Sequence, residues 1–245
     1  MSKQNIYDNE TFFDGYKKIR DTAGNANDVF EMPALFSLLP DLKNQTVLDL
    51  GCGFGEHCIH YIEQGAKKVV GIDISEKMLA IAKAENSHPN ISYLHMPMED
   101  LAGLDMQFDV VISSLAIHYV ENYGALAKDV YRLLNPGGLF IFSQEHPLCT
   151  CYTRGDRWTQ DEEGNFLYVN LSNYGVEGER DSKWFVENVR KYHRTFSTIV
   201  NTLLDAGFTV ERVLEPLPDQ EILKQYPAYS RLFHKPDFLL VRARK

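Results

Sequence analysis

The chain has 245 residues, 44% hydrophobic and 24% charged, enough for one large α/β domain with a full core. Its formal net charge of −9 opposes the basic face that a nucleic-acid footprint needs. No apolar run approaches the roughly 20 residues of a membrane span, and the N-terminus lacks the apolar core of a signal peptide, so a cytoplasmic protein that engages no membrane is expected. In residues 1–45, Tyr16, Ile19 and Arg20 precede a polar turn over 21–28, and an apolar helical run follows over 32–39. From residue 45 strands and helices alternate. Strands are predicted at 46–50, 68–73, 91–95, 108–113 and 139–143, and helices at 57–64, 75–85 and 123–134. Gly65 is expected to end the first of these helices and Ser75 to cap the second, with Glu76 in its first turn. Asn135-Pro136-Gly137-Gly138 should stop the third. Residues 108–113 are nearly all apolar, as in a strand buried on both faces.

The period is lost over 148–192, where aromatic residues, charges and glycines read as an inserted cap. It returns at Thr195: Phe196, Ile199, Val200, Leu203 and Leu204 follow helical spacing, and Gly207 closes the run. Strands at 208–213 and 238–242, joined by a long connection with four prolines, complete the chain. The pattern predicts a doubly wound, mostly parallel seven-stranded sheet of the Rossmann-like kind, with an antiparallel edge and a small cap. Residues 1–45 read as an N-terminal helical lid, 46–147 as the core, 148–192 as the cap and 193–245 as a C-terminal helix and strand pair. Cys52, Cys58, Cys149 and Cys151 read as reduced thiols, because the C-x-C pair has no partner at zinc-ligand spacing; no metal is expected.

The richest segment is Val47-Leu48-Asp49-Leu50-Gly51-Cys52-Gly53-Phe54-Gly55-Glu56-His57. A strand runs into alternating glycines and a helix, and Asp73 ends the next strand. Glycines there let the backbone approach a ligand, and the carboxylate can accept from ribose hydroxyls. A dinucleotide site wants G-x-G-x-x-G, with a helix N-terminus facing a pyrophosphate. Here Glu56 stands where the third glycine would, which repels a pyrophosphate and suits a ligand carrying an ammonium and a sulfonium. A nicotinamide-dependent oxidoreductase is therefore the weaker alternative.

The segment resembles motif I of the class I S-adenosylmethionine-dependent methyltransferases. Phe108-Asp109-Val110-Val111 and Leu134-Asn135-Pro136-Gly137-Gly138 are similar to later motifs of that family. The resemblance implies S-adenosylmethionine as cofactor, with S-adenosylhomocysteine as product. It assigns Gly51 and Gly53 to the loop around the methionine part, Asp49 beneath that loop, Asp73 to the ribose and Met78 to the adenine face. Glu99 or Asp100 would meet the adenine edge, and Ser114, after strand four, joins the cofactor set. Arg20, on a helical face with Tyr16, would pair with the cofactor's carboxylate if the N-terminal helix closes over it.

Ligands of parallel sheets sit at the carboxyl ends of the strands. His118, after strand four, and His146, after strand five, are therefore candidate bases, with His193 a third. Tyr119, Glu145, Trp158, Tyr174 and Trp184 are candidate substrate contacts; an aromatic cap suits a small apolar or planar acceptor. No Asn/Asp-Pro-Pro-Tyr/Phe follows strand four, which disfavours exocyclic amines of nucleic acids. The expected function is methyl transfer to a small molecule on O, N or C. A protein acceptor, or a regulator that binds the cofactor without turnover, is the alternative.

Overall fold

Seven strands form the central sheet of the computed structural model, which describes residues 3–153 and 156–245. The first five are β1 (Thr46–Leu50), β2 (Lys68–Asp73), β3 (Ile91–His95), β4 (Phe108–Ser113) and β5 (Leu134–Glu145). Two hairpins outside the sheet follow: β6 (Trp158–Gln160) with β7 (Phe166–Val169), and β8 (Gly178–Trp184) with β9 (Val186–His193). The last strands, β10 (Thr209–Leu214) and β11 (Phe238–Arg244), give the order β10-β11-β5-β4-β1-β2-β3. Pairings from β3 through β5 are parallel, while β11 runs antiparallel to both β5 and β10. The expected doubly wound sheet with an antiparallel edge is what the chain forms.

Among the described residues, eight α-helices accompany the strands: α1 (Glu10–Arg20), α2 (Met32–Ser37), α3 (Glu56–Glu63), α4 (Glu76–Glu85), α5 (Tyr123–Leu133), α6 (Pro147–Thr150), α7 (Phe196–Asp205) and α8 (Gln220–Gln225). Local chemistry sets several starts. Ser75 Oγ accepts from the Met78 amide at 3.1 Å, and Asn122 and Thr195 cap α5 and α7 in the same way. The side-chain alternation of the strands splits the core in two. Leu48, Leu50, Val70 and Phe142 pack with Leu126, Val130, Ile199 and Leu203 of α5 and α7. Val47, Val69, Val110 and Ile112 pack with Leu35, Cys58 and Tyr61 of α2 and α3.

Departures from the sequence prediction have local causes. Strand β5 begins at Leu134, because Asn135 to Gly138 join the strand as an irregular, partly exposed stretch with a register shift opposite Phe108 and Val110. The apolar run at 32–39 gives a helix of only six residues, preceded by a wide π-type turn, Asn27–Glu31. The cap is two hairpins and one helical turn, and the proline-containing connection holds α8 and a 3-10 stretch, Pro227–Phe233. Among the described residues no helix is long and apolar enough to cross a membrane, and no group of His, Cys, Asp and Glu is arranged to hold a metal.

Candidate active site

At the carboxyl end of β1 the chain turns through Gly51, Gly53 and Gly55 with φ of +74°, +53° and +80°, a region that side-chain-bearing residues rarely adopt. A Cβ on Gly51 would lie 2.7 Å from the Ala116 Cβ, whereas one on Gly53 would meet nothing within 4 Å. The Gly53 backbone is thus bare toward a cavity of about 370 Å³, within the size range of small-molecule sites. Asp73, at the end of β2, anchors the turn. Its Oδ2 accepts from the Gly53 amide at 2.9 Å and its Oδ1 from the Ser75 amide at 2.8 Å. Burial raises its pKa, against those two bonds. Arg20 reaches over the turn from α1 and donates to Glu56 Oε2 at 2.7 Å. Met78, Met98, Glu99 and Ser114 complete this wall, and Ser114 donates to the buried Glu31 carboxyl at 2.9 Å.

The facing wall comes from distant segments. After β4 a 3-10 turn, Ile117–Tyr119, carries His118, which is buried; its Nδ1 accepts from the Glu145 amide at 3.4 Å. Burial pushes the imidazole down to about 4, against the opposing pull of Glu145. Burial alone would raise the Glu145 pKa, but Lys191, donating at 2.5 Å, brings it below the usual carboxylate range. The Lys191 Nζ also lies 5.2 Å from the Trp184 ring centre and 6.0 Å from that of Tyr119.

The N-terminal segment and the β8–β9 hairpin roof the cavity together. The Tyr7 hydroxyl donates to that of Tyr119 at 3.5 Å, and Phe12 packs edge-on against Tyr7, Trp184 and Phe185. Asn5 donates to the Ile74 carbonyl at 3.0 Å, and Asp8 accepts from the Ser75 hydroxyl at 2.6 Å and the Lys77 amide at 3.2 Å. On the other side Gln4 donates to the Asn188 carbonyl and accepts from the Arg190 amide, each at 2.8 Å.

Residues 48–142 match the model of the family described as "Methyltransferase domain". A Mesorhizobium loti S-adenosylmethionine-dependent methyltransferase of known structure is 38% identical, with 93% of this chain and all of that one covered and a TM-score of 0.81. A Listeria monocytogenes structure, provisionally assigned to the same class, is 45% identical over 88% of this chain and 96% of that one, also at 0.81. The chain belongs to the S-adenosylmethionine-dependent methyltransferases. The provisionally assigned Bacillus subtilis methyltransferase YqeM agrees, at 32% identity over 77% of this chain and 82% of its own length.

In this methyltransferase Gly51, Gly53, Asp73, Met78, Glu99, Ser114 and Arg20 line the cavity, as do His118, Tyr119, Glu145 and Trp184. Other residues singled out from the sequence lie outside it. Asp49 is buried beneath the turn, where the Cys58 thiol donates to it at 3.4 Å and burial raises its pKa to about 7. Asp100 turns away and pairs with Lys3. His146 caps α6 by accepting from the Leu148 amide at 3.1 Å, and its Nε2 meets Glu215 at 2.8 Å. His193 is fully buried, with Thr150 Oγ1 at 2.8 Å on one nitrogen and the Tyr174 carbonyl at 2.9 Å on the other. Trp158 packs on Phe166, and the Tyr174 hydroxyl accepts from the Phe196 amide at 3.0 Å. Sequence reasoning missed Tyr7 and Lys191. On β9, Arg190 and Tyr192 line the cavity, so Lys191 and His193 face the opposite way, and from there Lys191 reaches the Glu145 carboxylate.

Proposed function

We propose that the chain transfers a methyl group from S-adenosylmethionine to a small-molecule acceptor inside the roofed cavity. The observation that carries this reading is the roof itself: Tyr7, Tyr16 and Trp184 pack against one another along the cavity that the glycine turn also lines. A protein acceptor would instead need an open groove beside the cap. Bound S-adenosylmethionine supplies a methyl on a sulfonium, which a nucleophile takes by in-line displacement. The chain's contribution is then to bind, align and exclude water.

Each wall has a part in that task. The bare backbone at Gly53 admits the cofactor closely, and Asp73 keeps acceptor capacity for two ribose hydroxyls beyond its backbone bonds. Met78 and Glu99 serve the adenine, and Ser114 lines the reaction space. The Arg20–Glu56 pair offers one charge of each sign to the zwitterionic end of the cofactor. Asp49 and its partner Cys58 brace the turn from below. Tyr119, Glu145 and Trp184 belong to the acceptor, with His118 between the two. Residues 3–20 and the β8–β9 hairpin form a lid that opens for exchange. His146, His193, Trp158 and Tyr174 hold the cap against the core.

Calorimetric titration with S-adenosylmethionine, S-adenosylhomocysteine and NAD tests the cofactor half of the reading. Both adenosyl ligands should bind the native protein, and Asp73→Ala should weaken them about 100-fold, the worth of two charge-assisted hydrogen bonds. Binding of NAD alone would overturn it. For the acceptor, label from methyl-tritiated cofactor should pass into the low-molecular-weight fraction of a cell extract; label confined to protein would show a protein acceptor, and none in either fraction a binder without turnover.

A further inference from the structure

His118 is oriented in a way that decides which atom it can offer. Its Nδ1 accepts a hydrogen bond from the Glu145 backbone amide, so the lone pair of a neutral ring lies on that nitrogen and the proton on Nε2. Nε2 has no partner among the described residues, and the side chain lines the cavity. A base would need a free lone pair, and in this tautomer the nitrogen left without a partner, Nε2, carries an N–H instead. Burial keeps the ring neutral, with its pKa near 4.

Glu145 supplies the complementary half. One carboxylate oxygen is held by Lys191 at 2.5 Å, and the side chain lines the cavity next to His118. Lys191 stands behind the wall, pinned over the Trp184 and Tyr119 rings, so it fixes Glu145 without entering the cavity. An N–H donor and a carboxylate acceptor therefore line the same cavity, together with the Tyr119 and Trp184 rings.

The charges of the lining narrow the class further. Among the described residues that line the cavity, each lysine and arginine already has a carboxylate: Lys3 has Asp100, Arg20 has Glu56 at 2.7 Å and Arg190 has Glu179 at 3.4 Å. An acceptor anchored by its own carboxylate or phosphate would have to draw Lys3 or Arg190 from its carboxylate, since Arg20 serves the cofactor.

Resting on the small-molecule reading above, we propose that the acceptor is a neutral, planar lactam or imide. Its carbonyl takes the His118 Nε2–H and its ring N–H donates to Glu145. Lys191 is the positioning residue for that pair.

Two measurements on the full chain saturated with S-adenosylhomocysteine test this. Nitrogen-15 NMR of the histidine-labelled protein, with His118→Phe to assign the signal, should show Nε2 protonated and Nδ1 bare at neutral pH. The Nδ1–H tautomer, or a cationic ring, overturns the proposal. Second, 2-quinolone, which carries a carbonyl beside an N–H, is compared with coumarin, which has the same outline and a ring oxygen instead. The native protein should bind 2-quinolone about 10-fold more tightly, the scale of one charge-assisted hydrogen bond. Glu145→Gln should erase that preference, since an amide can turn either end to the ligand. Lys191→Met should reduce it, because the freed carboxylate no longer points one way. Equal affinity for the two probes, or no binding of either, overturns the proposal. If S-adenosylhomocysteine itself fails to bind, the fault lies in the cofactor reading instead.

Discussion

The two walls of the cavity are built from different materials. The wall proposed for the methyl donor centres on main chain and a buried carboxylate, a glycine turn held by Asp73 on the ends of β1 and β2 in the parallel part of the sheet, with Met78, Met98, Glu99 and Ser114 around it. The wall proposed for the acceptor is side chain: aromatic rings and ion pairs brought from residues 7, 119, 145 and 184 by segments packed over the sheet. Main chain can hardly be altered by substitution, so the first wall keeps one ligand. Side chains can be exchanged one at a time, so the second can be re-specified while the sheet stays the same.

Unpacking the roof should separate the walls most clearly. Phe12 is fully buried among Tyr7, Trp184 and Phe185, so Phe12→Ala should cost about 3–5 kcal/mol. Hydrogen exchange should show the loss at residues 3–20 and the β8–β9 hairpin, with β1, β2 and β4 still protected. A uniform loss across the sheet would mean that the roof and core unfold as one.

A smaller effect probes the donor wall. Gly51→Ala meets both positive φ and the Ala116 methyl, and should cost about 2 kcal/mol or more in thermal melts. Gly53→Ala carries only the φ penalty, about 1 kcal/mol, yet places a methyl on the bare backbone. It should therefore weaken S-adenosylhomocysteine binding more than it lowers stability. Equal losses in both properties would argue that the ligand does not approach that backbone.

Asp49 gives a pH signature beneath the same wall. Its folded pKa, raised to about 7, exceeds the unfolded value near 3.9, so between those limits the native state holds more protons. Its contribution to stability therefore falls as pH rises from about 4 to about 7. Denaturation curves across that range should show Asp49→Asn with a flatter profile than the native protein; an unchanged slope would mean that other groups set it.

The smallest effect concerns the roof's attachment. Burial alone would raise the Asp8 pKa, but bonds from Ser75, Lys77 and Asn5 bring it below the usual value. That stabilisation is present above the unfolded pKa of about 3.9 and is lost as pH falls through the folded value. Asp8→Ala should cost about 1 kcal/mol at neutral pH, and the difference from the native protein should vanish in acid. A gap that persists in acid would put the loss in packing rather than charge.

What could be foreseen from the chain alone follows the same division. The donor wall arises from consecutive residues: a turn, a helix start and a strand end lie within residues 47 to 78, so local patterns suffice. The acceptor wall depends on direction. His146 follows strand five as a base should, but Pro147 starts a helix and the ring turns to cap it. His193 stands one residue from the cavity-lining Tyr192 and faces the other way because strands alternate. Strand β8, Gly178-Glu179-Arg180-Asp181-Ser182-Lys183-Trp184, lacks the apolar alternation that marks a strand, so its hairpin was unreadable. Tyr7 carries no periodic signal at all.

The hydrogen bonds of Gln4 to Asn188 and Arg190 join residues 184 and 186 positions apart. During synthesis Gln4 leaves the ribosome well before the sheet strands, yet its last anchor is made only once Asn188 and Arg190 exist. Strands β1 to β4 can pair long before then, since short-range contacts close faster than distant ones. The nascent enzyme therefore passes through a stage in which the glycine turn is assembled and still uncovered, and a segment made before the sheet is among the last to find its place.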